Sequence, residues 1–146
     1  MSHFGNIIGP DGPLLFCLIG LSFPREQVFR ELGLLVPSAQ RANLLIDTGA
    51  SQTVIDQRYV MSLALDPTGT VKVHTPSTAG APVVMNTYDV AIAFAGFDNS
   101  VHELTAHSVS AANFSGQGID GLLGRDILAN ARLTYSGPDN FYYLSF

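Results

Sequence analysis

Leu44-Leu45-Ile46-Asp47-Thr48-Gly49-Ala50-Ser51-Gln52-Thr53-Val54-Ile55 runs from an apolar segment through a single carboxylate into small residues, then back into β-branched ones. A short apolar run bounded by turn residues reads as a buried strand. Here the strand is Ala42 to Ile46, and it ends by presenting Asp47 rather than hiding it. Gly49 permits close backbone approach or a positive φ, Thr48 offers a hydroxyl, and the amides of such a turn can hold an ionised carboxylate. Taken alone, Asp-Thr-Gly is equally what an aspartate capping its own turn looks like.

A second element, Ile119-Asp120-Gly121-Leu122-Leu123-Gly124-Arg125-Asp126-Ile127-Leu128, changes that balance. The chain carries an apolar-apolar-Asp-Thr-Gly-Ala segment, a hairpin, and then apolar-apolar-Gly-Arg-Asp before a short helical stretch. In this it resembles the retropepsin-like aspartic protease family from roughly Leu14 to Phe146. The resemblance implies an all-β chain with one or two short helices, folded as a closed β-barrel with a flap hairpin and working as a two-fold dimer. It implies that Asp47, Thr48 and Gly49 are catalytic, with Thr48 bonding across the dimer axis and Gly49, Ala50 and Ser51 meeting the substrate. Leu122, Leu123 and Gly124 would cross behind the Asp47 loop and support it. Retroviral members pair the arginine with an acid where Ser51 stands here, so Arg125 is expected to brace the loop through Asp126, Asp56 or a backbone carbonyl. Asp126 is otherwise read as a cap for the helix that starts there.

Hydrolysis by this chemistry needs one carboxylate as base for a water and a second, protonated, to assist the carbonyl. The chain holds no second Asp-Thr-Gly or Asp-Ser-Gly; Asp11-Gly12, Asp120-Gly121 and Asp98-Asn99-Ser100 lack the pattern. A homodimer with its axis beside Asp47 would supply the partner from another copy. The two carboxylates would then share a proton and titrate as a unit, which favours activity on the acidic side of neutral. The flap is expected over His74 to Val83, with Thr78, Ala79, Gly80 and Ala81 touching an extended peptide or protein substrate and Gly80 at the tip. No metal or organic cofactor is called for. The competing reading is a catalytically silent module that keeps the fold to dimerise or bind peptides.

Composition agrees with a folded apolar domain. Of 146 residues, 47% are hydrophobic and only 13% charged, which excludes a disordered chain. Seven Lys and Arg against twelve Asp and Glu give a net charge of -5, which disfavours nucleic acid as a partner. The single cysteine, Cys17, can form neither an intrachain disulfide nor a thiolate zinc site, so a cytoplasmic location is expected. Leu14 to Leu21 lacks the basic start and cleavage site of a signal peptide and falls far short of the ~20 apolar residues that span a membrane, so no membrane is expected.

Punctuation by Gly and Pro makes residues 1–13 a flexible N-terminal arm and leaves 14–146 as one domain. Strands are expected over Leu14 to Phe23, Thr70 to His74, a region around Tyr88 to Phe94, Val101 to Ser110, and a terminal hairpin of Arg132 to Ser136 with Phe141 to Phe146. Helical character is read in Val54 to Leu65 and Gly124 to Ala131, and a helical turn or loop in Glu26 to Leu32. The aromatic tail 141–146 fits either edge packing or a dimer contact. His102 and His107 stand at i and i+5. They diverge by about 140° on a helix and face opposite sides on a strand, so they read as surface residues, not a zinc pair.

Overall fold

The computed structural model describes residues 1–75 and 79–146. Strands β1 (His3–Ile7) and β2 (Leu14–Leu21) precede helix α1 (Phe23–Glu31), which starts with a proline in its first turn. Then come β3 (Gln40–Ile46), β4 (Val54–Asp56), α2 (Gln57–Ser62), β5 (Gly69–Val73), β6 (Val83–Ala95) and β7 (Val101–Ala112). The chain ends with β8 (Gly121–Leu123), α3 (Arg125–Leu128), β9 (Arg132–Ser136) and β10 (Phe141–Ser145). With 48% strand and 13% helix it is mostly β, as the sequence implies.

Six strands close a barrel in the order β2-β3-β8-β4-β7-β6, the last returning to β2 through Leu18↔Ala93 to Leu21↔Val90. Alternation explains which side faces in. Leu15, Cys17, Ile19 and Leu21 of β2 are buried while Phe16 and Leu18 are exposed, and Val90, Ile92 and Phe94 of β6 fill the same interior. β5 continues the sheet beyond the barrel as the partner of β6, from Gly69↔Thr87 to Val73↔Val83, which makes the expected hairpin.

The site depends on β8. This strand of three residues wedges between β3 and β4, parallel to β3 (Leu45↔Leu122, Ile46↔Leu123) and antiparallel to β4 (Val54↔Leu122, Ile55↔Gly121). Gly121 has φ 155°, and a Cβ there would run into the Val54 carbonyl, so only glycine lets β8 approach β4 so closely.

Two expectations need correction. The N-terminal segment is not a loose arm: β1 pairs along its length with β10, and Phe4, 1% exposed, packs edge-to-face on Phe94 and Phe146. The strand arises because β10 has an edge to fill, and Phe4 anchors it. β10 therefore lies between β1 and β9, and the tail belongs to the core, with Tyr142 and Leu144 buried and the Tyr142 hydroxyl donating to the Leu14 carbonyl at 2.6 Å. Burial pushes the Tyr142 phenol up to about 12. The short helix read within Val54 to Leu65 is present as α2, which follows strand β4 and is capped by Asp56 accepting from the Arg58 amide at 2.9 Å.

The histidines are the second. Between Leu104↔Ile92 and His107↔Val90, β7 uses one residue more than β6, a bulge that resets the alternation. His102 and His107 are consequently both half-buried and neither is a surface residue. His102 stacks on Phe146 with ring centroids 4.0 Å apart, and burial lowers its pKa. Among the described residues, no group of His, Cys, Asp and Glu is arranged to hold a metal ion. Among the same residues, no helix is long and apolar enough to cross a membrane.

Candidate active site

Strand β3 delivers Asp47 to the end of the barrel, where the Asp47 amide donates to the Leu123 carbonyl at 3.0 Å. The loop then folds back on itself. The Gly49 amide donates to Asp47 Oδ1 at 2.8 Å and the Ala50 amide to the Asp47 carbonyl at 3.2 Å. Asp47 is half-buried and Thr48 and Gly49 are exposed, so one carboxylate oxygen is fixed by an amide while the group as a whole still reaches solvent.

Three consecutive residues of the β8–α3 junction hold this loop. The Leu123 carbonyl takes the Asp47 amide, the Gly124 amide donates to Thr53 Oγ1 at 3.1 Å, and the Arg125 amide donates to the Ala50 carbonyl at 2.9 Å. Arg125 adds its guanidinium, Nη1 donating to the Thr48 carbonyl at 2.7 Å. Of the partners expected for Arg125, a backbone carbonyl is the one observed. Gly124 lies so close behind the loop that a Cβ would stand 2.5 Å from the Gln52 carbonyl carbon and 2.8 Å from the Thr53 nitrogen.

Asp126 does not cap α3, which has no side-chain cap. Its carboxylate instead accepts the Thr53 amide at 3.0 Å, the Thr53 hydroxyl at 2.8 Å and His107 Nε2 at 2.8 Å. Burial alone would raise its pKa, but the His107 and Thr53 donors outweigh it and hold the carboxyl below the usual carboxylate range. Asp120 is likewise structural, accepting the Asn43 amide at 2.8 Å and pairing with Arg58.

Beside Asp47 lies a hollow of about 400 Å³. Gly49, Ala50 and Ser51 line it, and so do Gln52, Val54 and Leu122. The opposite wall comes from the hairpin through Val73, His74, Thr75 and Met85, and from Ala112 and Phe114 after β7. His74 and Thr75 lie in the segment read as the flap, whereas Val73, Met85, Ala112 and Phe114 were missed in the sequence; for the first two the signal available was the strand alternation of 71–75 and 83–85 facing the loop. Ala79, Gly80 and Ala81 sit at the exposed hairpin tip and do not line the hollow, with Ala79 at φ 48° and Gly80 at φ 82° making the turn. Thr78 lies outside the described residues. Thr48, Arg125, Leu128, Ala129 and Leu133 surround a separate depression on the far side of the loop.

One carboxylate in an open, mainly apolar hollow can act as a base or bind a donor, but it cannot supply base and acid to one carbonyl together. Comparison with known proteins adds family and fold. A family model described as Aspartyl protease matches residues 36–127, which includes Asp47, β8 and Arg125. The crystal structure of a retropepsin-like aspartic protease from Rickettsia conorii aligns with a TM-score of 0.53 over 98% of this chain and 90% of that one. At 12% sequence identity the likeness is one of fold. No curated protein matches the chain significantly.

Proposed function

Because the chain belongs to the aspartyl protease family, we propose that it is an aspartic endopeptidase whose site is completed by Asp47 from each subunit of a homodimer. The observation that carries this reading is a half-buried Asp47, one oxygen held by the Gly49 amide, at the edge of a hollow with a hairpin for its opposite wall. Asp47, Thr48 and Gly49 form the catalytic set. Ala50, Ser51 and the hairpin residues grip an extended peptide, and Leu122, Leu123, Gly124 and Arg125 keep the loop in place.

Two carboxylates brought face to face cannot both remain ionised, so they share one proton and bind a water between them. The ionised one takes a proton from that water as its oxygen attacks the peptide carbonyl carbon, while the protonated one gives its proton to the carbonyl oxygen. The tetrahedral diol collapses as the C–N bond breaks: the protonated carboxyl gives its proton to the leaving nitrogen while the ionised one takes a proton from a diol hydroxyl, so the pair again shares one proton. No metal or organic cofactor enters the cycle. The apolar wall of Val54, Val73, Met85 and Phe114 favours apolar side chains beside the scissile bond. The buried lone Cys17 suits a reducing compartment, and we place the enzyme in the cytoplasm.

The test is cleavage of a mixed peptide library at several pH values by the native chain and by Asp47→Asn. Cleavage that vanishes in Asp47→Asn with fold and dimer retained, and that a peptide mimic bearing a hydroxyl at the scissile carbonyl blocks, supports the enzyme. In the dilute range where subunits dissociate, rate should rise as the square of concentration. Equal partner binding by both forms with no cleavage by either would support the silent module instead.

A further inference from the structure

We propose that His107 is a positioning residue for the Asp47 loop, acting through Asp126 and Thr53. It touches neither the hollow nor Asp47, and nothing in the Asp-Thr-Gly pattern points to it. The β7 bulge turns it inward toward Asp126 at the start of α3, where Nε2 meets Oδ2 at 2.8 Å. Both side chains are 22% exposed, so the pair is largely withdrawn from water.

The protonation of this contact follows from its surroundings. Asp126 already accepts the Thr53 amide and hydroxyl, and its pKa is held low, so it is ionised and can only accept. His107 Nε2 must therefore carry the hydrogen and donate it. With the Thr53 hydroxyl spent on Asp126, its oxygen is left to accept the Gly124 amide. Donors thus converge on Asp126 from two sides, His107 from one and Gly124 through the Thr53 hydroxyl from the other, and Thr53 and Gly124 bound the Asp47 loop from its C-terminal end and from behind.

His107 also stands opposite Val90 in β6, the strand whose other end forms the hairpin over the hollow. The residue therefore ties the flap sheet to the loop support, the two halves that close on a substrate. Without it the Asp126 carboxylate keeps only Thr53 donors, and β7 holds the end of the loop through the Ser110 amide on the Thr53 carbonyl and Gln52 Nε2 on the Ser108 carbonyl, neither of which fixes the Asp126 carboxylate. A shift of the loop of the order of 1 Å lowers the rate about a hundredfold, while the opposite wall of Val73, His74, Thr75, Met85, Ala112 and Phe114 stays in place and retains most of the binding.

The kinetic part of this proposal rests on the endopeptidase reading, so a readout independent of catalysis accompanies it. His107→Leu and His107→Gln are compared with the native chain for kcat and KM, and for amide hydrogen exchange at Gly49, Ala50 and Thr53. Gln keeps an N–H donor. The expected result is a kcat lowered about ten- to a hundredfold in His107→Leu with KM within about twofold, faster exchange confined to those amides, and substantial recovery of both by Gln. Native exchange and kcat in His107→Leu would overturn the proposal, and so would a loss that Gln leaves unchanged. If the native chain cleaves no peptide, the endopeptidase reading fails, and exchange alone decides: local acceleration reversed by Gln sustains the positioning role, and its absence removes it.

Discussion

Replacing Gly124 with alanine separates space from conformation at the back of the site. Gly124 sits at φ -88°, where any residue is comfortable, so the substitution carries no backbone penalty of its own. What it meets is the loop: the new Cβ would lie 2.5 Å from Gln52 C, 2.7 Å from Gln52 O and 2.8 Å from Thr53 N. All three are backbone atoms, so no rotamer change relieves the contact, and loop or β8–α3 junction must withdraw by roughly 1 Å to reach ordinary contact. Overpacking of this kind costs about 1–3 kcal/mol, and its backbone character puts Gly124→Ala near the upper figure. For a chain of this length that lowers the melting temperature by roughly 6–12 °C. The same withdrawal stretches the Leu123–Asp47 and Arg125–Ala50 hydrogen bonds, so kcat/KM for peptide cleavage should fall about a hundredfold even well below melting. Gly137, in the β9–β10 turn with nothing within 4 Å of its would-be Cβ, is the control. Gly137→Ala should change stability by no more than about 0.5 kcal/mol. A Gly124→Ala protein with native melting temperature and native kcat/KM would refute the claim that the bare backbone at this position sets the loop.

Three further outcomes are expected. Phe4→Ala should destabilise the fold by about 3–5 kcal/mol in denaturant titration, because a buried ring packed on Phe94 and Phe146 leaves a cavity; a flexible arm would tolerate the change. Asp126 has its pKa depressed in the folded chain, so its stabilising contribution is present above the ordinary carboxylate range and is lost as pH falls through the lowered value. Asp126→Asn should therefore be less stable near neutrality and lose less stability on acidification, as read by melting temperature against pH. Cys17 is fully buried, and desolvation, with a smaller contribution from Asp120, pushes its thiol up to about 12, so a thiol reagent at neutral pH should label it only after unfolding.

What the sequence disclosed about the site followed how locally each feature is encoded. Ile46-Asp47-Thr48-Gly49 and Leu122-Leu123-Gly124-Arg125 carry their structure in adjacent residues, and the two meet through the Ile46↔Leu123 pairing and the Asp47 amide on the Leu123 carbonyl. The bond between His107 and Asp126 has no local signature. It exists because a bulge adds one residue to β7 between Leu104 and His107, and bulges are set by pairing with another strand. β1 was hidden for a similar reason: in His3–Ile7 only Phe4 is buried, so the segment lacks alternation and becomes a strand only because β10 offers an edge. The hairpin wall was half legible. The turn chemistry located the flap, but which residues face Asp47 depends on the twist and register of β5 on β6, and these brought Val73 and Met85 to the hollow instead of the Ala79–Ala81 tip.

The way the loop is held bears on how a shared site can work. Leu123, Gly124 and Arg125 grip Asp47, Thr53 and Ala50 entirely within one chain, and Asp126 with His107 adds a further intrachain brace. Loop order is thus established by the folding of the single subunit. On the dimer reading proposed above, association then carries little ordering entropy at the catalytic loop, and binding energy that would otherwise go into freezing it remains available to hold two like carboxylates together. A site assembled from disordered halves would show loop amides that gain protection only on dimerisation. Here Gly49, Ala50 and Thr53 amides each already have an acceptor inside the chain, so their protection should change little as concentration is raised through the range where activity appears.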